Sequence, residues 1–81
     1  MDKKQQDITY FISFCVEQYK HVKHLNGEDV ISIFSEYGVF DYLNNHFEIL
    51  HTQNQHWIIE EIDEFIEIRK GEWLWKYIMV V

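Results

Sequence analysis

Proline is absent from the 81-residue sequence, and glycine occurs only three times. This composition excludes a proline-rich or glycine-rich linker between domains and a collagen-like repeat. Gly27, Gly38 and Gly71 are isolated from one another, so no glycine-rich loop of the phosphate-binding kind is present. With 47% hydrophobic residues over this length, residues 1–81 are interpreted as a single folded domain.

Cysteine is also scarce, since Cys15 is the only one in the sequence. A single cysteine forms no intramolecular disulfide, which excludes a disulfide-stabilised scaffold. The first seven residues are polar and precede no signal-peptide core, and no apolar run approaches the ~20 residues that span a membrane. We therefore expect a reduced, cytoplasmic protein without a membrane partner.

Basic residues are few: the sequence has seven lysines and arginines and fourteen aspartates and glutamates, which gives a net charge of −7. Nucleic-acid-binding proteins usually carry a basic surface that replaces phosphate counterions. The charge balance therefore predicts a protein partner and no nucleic acid. Five acidic residues fall close together in the sequence: Glu60, Glu61, Asp63, Glu64 and Glu67. They predict either a solvated helix face or an acidic patch that docks on a basic partner.

Apolar residues recur at helical spacing over most of the chain and predict an all-α fold, a compact bundle of about four helices with a core over residues 8–70. The first helix, residues 5–24, is predicted to bury Ile8, Phe11, Ile12, Cys15, Tyr19 and Val22, with Phe14, Val16 and Leu25 beside them. The second, residues 27–36, is predicted to bury Val30, Ile31, Ile33 and Phe34. The third is predicted to bury Phe40, Leu43, Phe47 and Leu50. The fourth, residues 53–70, is predicted to bury Ile58, Ile59, Ile62, Phe65 and Ile66, with the stem of Arg69 at the edge.

Turn-forming and capping residues predict the ends of these helices. We expect Asn26 and Gly27 to close the first helix in the left-handed conformation, and Asn26 to cap the second. Gly38 predicts the end of the second helix. Thr52 begins a capping-box pattern and is predicted to cap the fourth helix, which Gly71 is predicted to end.

The tail, residues 72–81, differs from the rest because eight of its ten residues are apolar. Its periodicity allows either an extended strap or a short helix. The tail could fill the core, contact a partner or a second copy in a homodimer, or touch a membrane interface, although its basic residues are too few for the last role. We take Trp73, Trp75 and Tyr77 as candidate interaction residues.

Two groups of histidines are candidates for chemistry: His21 with His24, and His46 with His51 and His56. His21 and His24 share a helical face with Glu17 nearby, but a zinc site needs three or four ligands and the set is incomplete. His51 either donates to free carbonyls at a helix end or acts as a surface contact or general base. Cys15 lies on the most apolar face, where burial raises the pKa of a thiol. We therefore expect no catalytic, cofactor-binding or metal-binding residues.

A DNA-binding regulator of the helix-turn-helix type is the alternative hypothesis. The second and third predicted helices are short and are joined by a glycine-containing turn. Asn44, Asn45 and His46 would then face the bases. However, no lysine or arginine occurs between Lys23 and Arg69 to contact phosphates.

Three segments resemble a small bacterial family known as domain of unknown function thirty-seven ninety-one: residues 11–17 (FISFCVE), 38–43 (GVFDYL) and 46–53 (HFEILHTQ). The resemblance covers residues 8–70 and leaves the tail outside. Five residues match the family's pattern by position: Cys15, Glu17, His51, Thr52 and Gln53. Phe47 stands where the family pattern leads us to expect tyrosine.

The resemblance implies a small cytosolic helical protein of gut-type bacteria that accompanies an ADP-ribosyltransferase-like partner, in an arrangement resembling a toxin and its antitoxin. It implies no catalytic residues. Together with the acidic composition, it leads us to expect a non-enzymatic protein–protein interaction module, either antitoxin-like or accessory. The candidate interaction or family-motif residues are His51, Thr52, Gln53, Glu17, Trp73, Trp75 and Tyr77.

Overall fold

The computed structural model describes residues 2–79, with side chains for residues 2–71. Five helices follow one another in chain order: α1 (Lys3–Lys23), α2 (Gly27–Glu36), α3 (Val39–Asn45), α4 (Phe47–Leu50) and α5 (Gln55–Met79). The described part of the chain contains no strand, so the predicted all-α class is confirmed. None of its helices is both long enough and apolar enough to cross a membrane.

Helix α1 ends earlier than the sequence predicts. His24, with φ 56°, adopts the left-handed conformation expected for Asn26 and Gly27, so that prediction is wrong. The amide of Leu25 donates to the carbonyl of Lys20 at 3.0 Å, the long-range bond of a Schellman end. Leu25 packs against the core, and this contact turns the chain before Asn26 is reached.

Helix α2 has the predicted boundaries and the predicted cap. The side-chain oxygen of Asn26 accepts a hydrogen bond from the amide of Asp29 at 2.8 Å. Gly38, with φ 72°, lies in the left-handed region just after the helix. The prediction that Ile31 is buried is wrong, because its side chain is 50% exposed while Val30 and Phe34 are fully buried.

The third predicted helix is divided into two. His46, with φ −114° and ψ 20°, interrupts the helical backbone between α3 and the single turn of α4. The ring of Phe47 packs edge-on against Phe11 of α1, with 5.6 Å between centroids. Leu43 and Leu50 remain buried on either side of the break, so the apolar spacing is satisfied without a continuous helix.

Both predicted ends of the last helix are wrong. The oxygen of Asn54, not of Thr52, accepts from a free amide, that of Trp57 at 2.8 Å. Residues 51–53 still belong to the turn after α4, since the amide of Gln53 donates to the carbonyl of Leu50 at 3.1 Å. Helix α5 continues through Gly71 to Met79, because one glycine costs only about 1 kcal/mol within a helix. Over residues 72–79 the tail is therefore helical and continuous with α5, not an extended strap.

The core is one cluster of buried side chains drawn from all five helices. Tyr19 and Phe34 of this cluster, and the partly buried Phe40 packed against it, form successive edge-to-face contacts at 5.2 and 5.6 Å between ring centroids. Val22 and Phe14, predicted on the inner face of α1, are instead 50% and 43% exposed. The remaining core members are Cys15, Val30, Val39, Leu43, Leu50, Ile58, Ile59, Ile62 and Ile66.

Candidate functional site

His51 closes the short helix α4. Its Nδ1 lies 2.7 Å from the carbonyl oxygen of Phe47, and a carbonyl only accepts, so Nδ1 carries the proton and donates. The imidazole also stacks on the ring of Phe47, with 4.4 Å between centroids and 12° between planes. These contacts agree with the first interpretation from the sequence, in which His51 satisfies a helix end.

An open groove of about 580 Å³ lies beside His51, between the start of α1 and α4. Two lysines border it, and both are paired within the chain. Lys3 lies 3.4 Å from Asp7, and Lys4 lies 3.1 Å from Glu48. The rim of this groove is therefore close to neutral.

Two other family-motif residues, Thr52 and Glu17, form hydrogen bonds or ion pairs with residues close to them in the sequence. The hydroxyl of Thr52 donates to the carbonyl of Ile49 at 2.8 Å. Glu17 pairs along α1 with Lys20 at 3.2 Å and with His21 at 3.7 Å. Among the described residues, no hydrogen bond or ion pair joins Glu17 to residues 51–53. The structure thus does not assemble the motif residues into one constellation.

Cys15 is fully buried in the core. Burial raises the pKa of its thiol to about 12, from an ordinary value of 9.0. The thiol is therefore protonated at neutral pH and is a poor nucleophile. Among the side chains of residues 2–71, no group of three histidine, cysteine, aspartate or glutamate residues is arranged for a metal ion.

A hydrogen-bonded cluster joins α1 to α5. The buried Tyr19 hydroxyl donates to a carboxylate oxygen of Asp63 at 2.9 Å, and Lys23 Nζ lies 2.7 Å from the other oxygen. Burial raises the pKa of Tyr19, and the hydrogen bond to Asp63 and the nearby negative charges raise it further. Sequence reasoning missed this cluster, because no local pattern links residues so far apart.

The acidic run on α5 is divided by these contacts. Three of its five members pair within the chain: Asp63 with Lys23, Glu60 with His56 at 3.1 Å, and Glu67 with Lys70 at 3.9 Å. Glu61 and Glu64 form no ion pair with any side chain of residues 2–71. Both carboxylates lie near Tyr42, whose pKa is raised by burial and then by these two charges.

Four planar groups follow one another beside these carboxylates. The ring of Tyr42 stacks on Phe65 of α5, with 4.4 Å between centroids. The ring of His46, at the break between α3 and α4, lies 5.1 Å from that of Tyr42. The guanidinium of Arg69 lies 5.0 Å from the centroid of Phe65. We call this surface the stacked face and define it by Tyr42, His46, Glu61, Glu64, Phe65 and Ile68. Ile68 is 58% exposed and one turn beyond Glu64, so the face combines apolar and acidic groups.

The aromatic tail residues lie in the last turns of α5. The helical backbone includes the positions of Trp73, Trp75 and Tyr77, and their side chains lie outside the described part of the structure. Their assignment as interaction residues therefore stays a prediction.

Comparison with known proteins gives a family. No curated protein and no solved structure matches the chain. Residues 10–69 match the family DUF3791, described as a protein of unknown function. This range includes α2, α3 and α4 whole and most of α1, together with the stacked face. The chain therefore belongs to the DUF3791 family.

Proposed function

We propose that this protein is a non-enzymatic, cytoplasmic module that acts by binding another protein. The observation that carries the proposal is the continuation of α5 from Gly71 to Met79. Up to Lys70 the helix is held against the bundle, where Lys70 Nζ lies 5.6 Å from the ring centroid of Tyr37. About two further helical turns follow.

The sequence of this extension supports a binding role. Residues 73–79 read WLWKYIM, and all but one of them are apolar. A helical segment that is apolar at nearly every position has no polar face, and such a segment is typically buried against another part of a protein or against a partner.

Two side chains that would be first candidates for catalysis have structural roles instead. The Cys15 thiol has a pKa raised to about 12 by burial. His51 uses Nδ1–H to satisfy the carbonyl of Phe47. The raised pKa of the Cys15 thiol disfavours nucleophilic catalysis, which supports a binding role.

The family resemblance suggests which partner to test first. We propose an ADP-ribosyltransferase-like protein encoded beside this one, bound in an antitoxin-like or accessory role. DNA is a less suitable partner, because Tyr42 of α3 packs on Phe65 beside the negative charges of Glu61 and Glu64.

Co-expression with the neighbouring gene products tests the proposal. The tagged full chain is expected to co-purify with the ADP-ribosyltransferase-like protein. The variant W73A/W75A should reduce recovery, whereas Tyr10→Ala, which removes a 66% exposed aromatic ring from α1, should not. Failure of the full chain to retain any neighbouring gene product would overturn the proposal.

A further inference from the structure

We propose that the stacked face is the docking site for a basic segment of the partner protein, with an arginine side chain placed between Glu61 and Glu64 beside Tyr42. This inference rests on the proposed binding function and names the surface and the chemistry of its ligand.

Charge complementarity supports a basic ligand at this face. Three neighbouring acidic residues of α5 contact a basic side chain within the chain: Asp63 contacts Lys23, Glu60 contacts His56, and Glu67 contacts Lys70. Glu61 and Glu64 form no ion pair within residues 2–71, and the negative charges of both raise the pKa of the Tyr42 hydroxyl. The two carboxylates of α5 without an ion-pair partner among residues 2–71 thus lie near one another beside Tyr42, where they favour a cation from outside the chain.

The aromatic groups of the stacked face suit an arginine side chain. Arg69 already lies over Phe65 at 5.0 Å, so this surface accommodates a planar guanidinium on an aromatic ring. Arginine combines such stacking with hydrogen bonds to carboxylates, which a lysine ammonium does less well. Arg69 lies one turn beyond Phe65, whereas Glu61 lies one turn before it, so the two carboxylates are on the side away from Arg69.

The same face carries an exposed apolar side chain. Ile68 is 58% exposed, and Phe65 beside it is half-buried. An apolar centre bordered by unpaired charges is the usual composition of a protein interface. The helical backbone of α5 continues beyond Ile68 to Met79, so the stacked face and the extension that carries the proposed function share one helix.

An NMR titration of the full chain tests the inference. The probe is a synthetic decapeptide of alternating arginine and leucine, compared with peptides in which lysine or glutamate replaces arginine. We expect chemical-shift changes centred on Tyr42, Glu61, Glu64, Phe65 and Ile68, tighter binding of the arginine peptide than of the lysine peptide, and no binding of the glutamate peptide. Absence of binding, or shifts centred elsewhere, would overturn the inference.

A pair of matched double variants makes the test specific. E61Q/E64Q should weaken the arginine peptide about tenfold or more, because it removes both unpaired carboxylates. E60Q/E67Q makes the same change in net charge on the same helix but alters residues that pair within the chain, so it should weaken binding by less than about twofold. Equal losses would show that binding follows net charge alone and would reject the site.

If the partner protein binds E61Q/E64Q as tightly as the unmodified chain, the docking site is wrong and the binding function stands. If no partner binds the unmodified chain, the binding function itself is wrong.

Discussion

The hydroxyl of Tyr19 donates a hydrogen bond to Asp63 across the interface of α1 and α5, with 2.9 Å between the two oxygens. Lys23 Nζ forms an ion pair with the other oxygen of the same carboxylate at 2.7 Å. It also lies 5.7 Å from the centroid of the Tyr19 ring. Three groups thus hold the long C-terminal helix against the N-terminal one. The position of the stacked face and of the helical extension depends on this contact, since both belong to α5.

The first prediction concerns that hydrogen bond. Tyr19→Phe should lower the free energy of unfolding by about 1 kcal/mol, because Asp63 loses one donor and keeps Lys23. Urea denaturation measures the change. Tyr10→Phe removes a hydroxyl from a side chain that is 66% exposed and should leave the midpoint unchanged. Equal effects of the two substitutions would contradict the role given to Tyr19.

The second prediction separates the two candidate caps of α5. Asn54→Ala should lower the free energy of unfolding by about 1 kcal/mol, since it removes the acceptor for the amide of Trp57. Thr52→Ala removes only an exposed bond to the carbonyl of Ile49 and should cost less than about 0.5 kcal/mol. The reverse order in thermal or urea denaturation would restore Thr52 as the cap.

The third prediction concerns the buried thiol. Burial raises the pKa of the Cys15 thiol to about 12, so almost none of it is thiolate at pH 8. A thiol-reactive dye should therefore label the folded protein very slowly and the urea-unfolded protein rapidly. Fast labelling of the folded chain would contradict the burial of Cys15.

The same group gives a pH dependence of stability. Folding raises the pKa of Cys15 from 9.0 to about 12, so the folded state retains its proton where the unfolded state loses it. This contribution to stability is complete below about pH 9 and decreases as the pH rises toward 12. Cys15→Ala, followed by denaturation at pH 8 and pH 10, should show a smaller loss of stability with pH than the unmodified chain.

The fourth prediction concerns residues 72–81. If residues 72–81 stabilise the fold, deleting them should lower the melting temperature. If they join two copies of the chain, deleting them should halve the mass measured by sedimentation. Helix α5 would then end near Gly71, where Lys70 still contacts Tyr37. An unchanged melting temperature together with an unchanged mass would remove both roles for the extension.

Sequence reasoning succeeded where local chemistry decides the structure. The boundaries of α2 and its cap follow from Asn26, whose side chain meets an amide only three residues away. It failed where packing decides. Leu25 turns the chain at His24, and Phe47 meets Phe11 beside the break at His46, and neither contact is visible in the spacing of apolar residues.

The candidate site was only partly predictable for the same reason. The acidic run on α5 is evident in the sequence, but its division depends on Lys23, which belongs to α1. The stacking of Tyr42 on Phe65 joins two helices that are separate in the chain. The sequence therefore predicts an acidic surface, and the fold selects Glu61 and Glu64 within it as the unpaired members among residues 2–71.

Isothermal titration of the purified chain with the ADP-ribosyltransferase-like product of a neighbouring gene is the most direct test of the central claim. We expect saturable binding of the two proteins. E61Q/E64Q should weaken this binding about tenfold, and E60Q/E67Q should leave it nearly unchanged. Absence of binding heat for the unmodified chain, with both proteins folded and at concentrations that detect micromolar affinity, would contradict it.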